Sequence, residues 1–171
     1  MINLIKKFLN TYRDKKYFMI GNSHFLNMYQ KYNKVKHLSE VDYKIFSQNG
    51  EDGIIDYLLY SLNLEKPKFL EIGIGDYSES NTRFIFQRTS TDGHVIDFIP
   101  NLEEKIKKKV NLWKGNLNII NKKINSENII EILDKNLALQ NLDLFSLDID
   151  GIDYWIIEKL PKDFSKIAIL E

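Results

Sequence analysis

The sequence predicts an α/β domain, an open and mostly parallel sheet with helices on both faces, preceded by an N-terminal helical segment. Three observations carry this. From Ser47 onward, short apolar runs alternate with segments of helical periodicity, the pattern of strands joined by right-handed crossovers. The first run closes in a glycine-rich turn, Gly73-Ile-Gly75. A chain of 171 residues with 43% hydrophobic residues suits one domain with an ordinary core. Residues 1–44 read as a helical cap or dimerisation segment and residues 45–171 as the α/β domain.

In order, residues 2–16 place Ile2, Ile5, Leu9 and Tyr12 at helical spacing, and a second helical stretch covers roughly His24 to Lys36. The apolar stretch before it stops at Gly21-Asn22. These two helices read as a cap over the domain or a contact between two copies, with a membrane-surface or anionic-substrate role as the other reading. Gln48 to Leu62 is a helix, with Ile54, Ile55, Leu58 and Leu59 on one face, and Pro67 ends that unit. Lys68 to Ile74 is a buried strand. A helix over Ser80 to Gln87 leads to a second strand, His94 to Ile99. Asn101 with Glu104 has the spacing of a capping box, and Lys105, Lys107, Lys108 and Lys109 fall late in that helix, where cations suit the dipole. A third strand lies within Leu117 to Ile124, and Asn125 or Ser126 caps a helix through Leu133. Leu142 to Ile149 is a fourth strand, Asp153 to Leu160 a helix stopped by Pro161, and Lys166 to Leu170 a fifth strand.

Composition excludes several classes. Basic and acidic residues balance at 24 each, against the basic excess of a nucleic-acid binder. The absence of cysteine removes disulfide scaffolds, thiolate zinc sites and a Cys nucleophile. No run approaches the roughly 18 apolar residues of a membrane span, and the chain reads as soluble and cytoplasmic. Charge is uneven: residues 1–44 carry nine basic and three acidic groups, a net +6.

In such a sheet, ligands bind beyond the carboxyl ends of the strands. Acids gather there: Glu71, Asp97, Asp148 with Asp150, and Glu171. Gly73 and Gly75 permit a sharp turn and close backbone approach. Asp97, 22 residues after Gly75, suits the two hydroxyls of a ribose. A pyrophosphate would meet Glu71 unfavourably and lacks the third glycine, which is Ser78 here. A cationic nucleoside with an amino-acid tail, S-adenosylmethionine (SAM), matches the acids better than NAD does.

Glu71-Ile-Gly-Ile-Gly75 resembles the first motif of class I SAM-dependent methyltransferases, and Asp97 matches their ribose-binding acid. Ser47-Gln-Asn-Gly-Glu-Asp-Gly53, Ser80-Asn-Thr-Arg83 and Leu147-Asp-Ile-Asp-Gly-Ile-Asp-Tyr-Trp155 resemble a bacterial group related to FkbM-type methyltransferases, over about residues 45–171. Members are often associated with surface-polysaccharide or natural-product pathways. The resemblance implies a Rossmann-like fold with SAM held by Glu71, Gly73, Gly75 and Asp97. It also implies Asn125, Ser126 and Glu127 near the adenine, Asp148 near the methionine end, and Gln48, Asn81 and Thr82 beside the cofactor. Tyr77 stands where many relatives keep glycine. A full sheet of that class adds two strands, an antiparallel hairpin after the fifth, so the chain reads as a truncated piece or a natural minimal version. A non-catalytic SAM-binding or dimerising fragment is the alternative to an enzyme.

For methyl transfer to a hydroxyl of a small or sugar-linked acceptor, a nearby base assists. Asp150 is the first candidate and His94 the second, although His94 at a strand start also reads as structural. The carboxylates of Asp148, Asp150 and Asp153 form an oxygen-rich loop that could instead bind Mg²⁺ or Ca²⁺. Helix capping is the preferred reading for Asp153, and no metal is expected. Trp113 and Trp155 read as core before they read as stacking platforms.

Overall fold

A computed structural model describes residues 2–136 and 142–170, the side chains of residues 2–8 and 136 excepted. Five parallel strands form one sheet: β1 (Phe69–Ile72), β2 (Gly93–Asp97), β3 (Leu117–Asn121), β4 (Leu142–Leu147) and β5 (Ser165–Leu170). Their order is β3-β2-β1-β4-β5, the α/β Rossmann-like arrangement. The chain steps outward from β1 to β3, then returns to lay β4 on the other side of β1. Strand order therefore reverses between β1 and β4, and Ile72 lies level with Ile96 and Leu147 at the carboxyl ends.

Alternation along each strand feeds two cores. Leu70 and Ile72 join Ile132, Leu133 and Ile156 from the helices α5 (Ile129–Asn136) and α6 (Asp153–Ile157) on one face. Phe69 joins Ile55, Phe86 and Ile106 on the other, from α2 (Glu51–Ser61), α3 (Arg83–Thr89) and α4 (Leu102–Lys107). Phe69 and Phe86 meet edge to face with centroids 6.4 Å apart. Each such fully buried apolar side chain stabilises by roughly 1.5–3 kcal/mol.

The N-terminal segment differs from its expected form. The two separate helices are one, α1 (Ile2–Tyr29), which passes through Gly21-Asn22 without a break. Gly21 is required there by packing, because a Cβ would lie 2.6 Å from Cδ1 of Ile45. Beyond Tyr29, only a short 3-10 turn at Tyr32–Lys34 remains of the second predicted helix. The helix is docked on the domain. Phe18 meets Phe84 edge to face at 6.1 Å, the Arg88 guanidinium stacks 3.8 Å above the Phe25 ring, and Asp14 pairs with Arg83 at 2.6 Å. Arg83 is 1% exposed and also donates to the Ser78 and Lys109 carbonyls, so removing Asp14 would leave a buried cation without its counter-charge, at up to about 3–5 kcal/mol.

The capping box at Asn101 is not formed. Asn101 adopts φ +57° and its side chain makes no cap bond, so the left-handed turn itself starts α4. Asn125 does act at the start of α5: its Oδ1 accepts the backbone N–H of Glu127 and of Asn128, at 3.0 and 2.9 Å.

Candidate functional site

Above the β1/β4 reversal lies a crevice of two lobes that share Gln48, Gly73, Gly75 and Asp148. The first lobe, about 650 Å³, runs between the glycine turn, the Ser78–Asn81 loop and α1. The second, about 590 Å³, runs over the ends of β2 and β3 between Asp97, Phe98, Ile124 and Asp150. Both volumes are of the size that takes a small organic ligand.

The floor is built around Glu71. Its side chain is buried, and its two oxygens accept four donors from one loop. Oε2 takes the Ser80 hydroxyl at 2.6 Å, the Thr82 hydroxyl, and the Thr82 N–H at 3.1 Å; Oε1 takes the Asn81 N–H at 2.9 Å. Burial pushes its carboxyl above the ordinary range, against the pull of the Ser80 and Thr82 hydroxyls. Glu71 thus shapes the loop, and its oxygens are committed to protein donors. The Asn81 side chain reaches across to Ser146 of β4 at 3.1 Å, tying β1, β4 and the loop together. Thr82 lies one layer behind the crevice, where it also meets the Tyr77 hydroxyl at 3.1 Å. Tyr77 holds φ +65° with its ring fully buried, so this position has the backbone geometry that favours glycine.

Gly73 belongs to the same packed layer. At φ +87°, a Cβ on it would sit 1.6 Å from the Asp148 carbonyl oxygen. Gly75, at φ +55°, faces open space: a Cβ there would meet nothing within 4 Å. Its N–H donates to Asp97 Oδ2 at 2.7 Å, while Asp97 Oδ1 accepts from Phe98 N–H. Asp97 is half-buried at the last position of β2, and each of its oxygens retains acceptor capacity toward the crevice. Asp148 follows β4 directly and faces both lobes. Asp150 is exposed at the rim of the second lobe with φ +42°, a strained conformation for a residue with a side chain.

Other predicted residues fall elsewhere. His94 begins at the second position of β2, about 10 Å of strand before Asp97 at 3.3 Å per residue, and lines neither lobe. Its Nδ1 lies 3.3 Å from the Asn118 amide, and burial lowers its pKa, offset in part by Asp92. It is a sheet residue, which corrects its candidacy as a base. Asn125, Ser126 and Glu127 lie in the turn that precedes α5, where Asn125 caps the Glu127 N–H, and do not line the crevice; the neighbouring Lys122, Lys123 and Ile124 do. Glu171 lies outside the described residues. Trp113 and Trp155 are 83% and 54% exposed, neither core nor crevice. Among the described residues, no three His, Asp or Glu side chains assemble into a metal cage. Asp153 instead accepts the Ile149 N–H at 3.0 Å, closing the loop before α6.

Sequence reasoning missed the wall supplied from outside the α/β domain. Arg13, Asp14 and Tyr17 of α1 line the first lobe, as do Lys44 to Phe46. The latter loop is held by buried Asp52, whose Oδ2 accepts the backbone N–H of Ile45, Phe46 and Ser47 and the Ser47 hydroxyl, all within 2.8 Å. Across the lobe, Lys109 meets Asp76 at 3.6 Å. Burial raises the Asp76 carboxyl, but the Ser78 hydroxyl and Lys109 outweigh it and hold the group below its ordinary pKa. The spacing of Ser47 and Asp52 was a usable signal; nothing in residues 1–20 marked Arg13 and Tyr17 as crevice residues. Comparison with known families, with curated proteins and with solved structures finds no match to this chain.

Proposed function

We propose that the chain is a SAM-dependent methyltransferase of the class I type, acting on an oxygen of a small or sugar-linked acceptor in the cytoplasm, in surface-polysaccharide or natural-product biosynthesis. The observation that carries this reading is the rim: Gly75 open to the crevice, Asp97 level with it at the end of β2, and Asp148 between the two lobes. A SAM molecule would supply the electrophilic methyl group. Asp97 suits the ribose hydroxyls because its oxygens still have room to accept. Gly75 lets the nucleoside lie against backbone, and Asp148 offers negative charge to an ammonium. The first lobe, walled by α1, is left for the amino-acid tail and the body of the acceptor, whose reacting hydroxyl would lie where the two lobes meet at Asp148, toward Asp150. Asp150 is the carboxylate proposed to take the acceptor proton, exposed at the mouth and held in a strained turn.

The charge that faces a ligand lies at the rim. The Glu71 oxygens are engaged by Ser80, Asn81 and Thr82, so discrimination between SAM and NAD rests on Asp97, Asp148 and Asp150. Calorimetry with S-adenosylhomocysteine, SAM and NADH tests the proposal, with tight binding expected for the first two. A preference for NADH overturns it. In an active preparation, Asp150→Ala should lower turnover far more than SAM affinity; equal losses in both would remove Asp150 as the base.

A further inference from the structure

The outward face of α1 carries an apolar stripe. Tyr12, Met19 and Leu26 recur at seven-residue intervals along it and are 63%, 70% and 58% exposed, with Leu9 and Ile20 beside them. The opposite face of the helix is already packed on the domain through Phe18, Gly21 and Phe25. A helix that is apolar on both faces calls for cover on both. Next to the stripe, α1 and the end of α4 enclose a groove of about 220 Å³ whose lining includes Lys15, Lys107, Lys108 and Lys114 together with Met19 of the stripe. Trp113, the neighbour of Lys114, is the most exposed large apolar side chain described.

We infer that this face docks on an anionic lipid membrane, the stripe entering the boundary between headgroups and acyl chains and the lysines meeting lipid phosphates. Two observations favour lipid over a second copy of the chain. The positions four residues after Tyr12 and Met19 are Lys16 and Ser23, so the stripe lacks the second apolar position that a paired-helix seam needs. A lysine at a membrane surface can lay its stem along the apolar region and keep its head at the phosphates. Residues 1–44 also carry +6, which repels a second such segment and is attracted by anionic headgroups. No helix among the described residues is long and apolar enough to cross a membrane, so α1, about 42 Å long, would lie in the plane of the surface. Arg13 and Tyr17 on the flank of the same helix rim the first lobe, so docking would set the crevice mouth beside the bilayer.

Flotation of the full chain with vesicles tests this. The protein should rise with phosphatidylcholine vesicles containing phosphatidylglycerol, stay behind with phosphatidylcholine alone, and be released by salt. Met19→Glu with Leu26→Glu, and separately Lys107→Glu with Lys108→Glu, should each weaken binding roughly tenfold or more, with circular dichroism unchanged because all four residues are exposed. Failure to float with anionic vesicles, or equal binding to neutral ones, overturns the inference. So does concentration-dependent dimerisation that Met19→Glu abolishes, which would assign the stripe to a second copy.

Discussion

The two glycines of one five-residue motif, each with a carboxylate as companion, differ in what confines them. Gly73 and Glu71 form the crevice floor but are locked into the protein: the first is pressed against the Asp148 carbonyl, the second holds the Ser80–Thr82 loop. Gly75 and Asp97 are turned outward, linked to each other by one hydrogen bond, and both line the crevice, Asp97 also taking the Phe98 N–H. The inner pair therefore governs whether the site exists, and the outer pair governs what it can hold. A motif that reads as one ligand-binding unit is physically two.

Substitutions can break that division. The largest effect is expected for Gly73→Ala, where backbone rather than a flexible side chain opposes the new Cβ, with a loss of about 4 kcal/mol or more seen as a collapsed melting temperature. Gly75→Ala, with no neighbour to meet, should lose only about 1–2 kcal/mol from its left-handed backbone while impairing SAM binding. Equal destabilisation by the two would erase the distinction. Glu71→Ala strands the Ser80, Asn81 and Thr82 donors and should lower stability by about 3 kcal/mol in denaturant titrations without ligand.

Asp97→Ala should leave unliganded melting much nearer to wild type and weaken SAM binding by about 1–3 kcal/mol. An unchanged dissociation constant would count against the outer pair as the ligand side. The smallest effect is one of pH. The folded-state pKa of Glu71 is raised by burial, so the folded protein keeps that proton to higher pH than the unfolded chain. Its contribution to stability is full below the ordinary 4.5 and is lost as pH rises from there through the raised value. Glu71→Gln should flatten this descending limb in melts taken across that range.

The sheet was legible because its signals are local. Apolar runs bounded by Pro67, by Gly73 and Gly75, and by Asp148 specify buried strands, and the observed β1, β2, β4 and β5 fall within or one residue from the expected runs. Positions that depend on distant packing were not legible. Gly21 reads as a helix breaker in isolation, and only Ile45, brought beside it by the fold, explains why the helix continues through it. Asn101 has the composition of a cap but takes a left-handed conformation that turns its side chain from that task. In the site, Asp97 and Gly75 were readable from spacing. The commitment of Glu71 was not, because its partners lie nine to eleven residues away on a loop whose path is set by the turn at Tyr77. His94 illustrates the converse: residue type suggests proton transfer, but its distance from the strand end rules its position.

That Arg13, Asp14 and Tyr17 wall the first lobe from a helix outside the α/β body has a practical corollary for dissecting the protein. A version shortened to begin after residue 20 would retain the strands and the residues of the nucleoside half, less stable for the loss of the Asp14–Arg83 pair and the Phe18–Phe84 contact, yet leave the other half a shelf instead of a trough. Recognition of the nucleoside and retention of the second reactant should then separate cleanly, the first surviving the excision and the second departing with the excised helix.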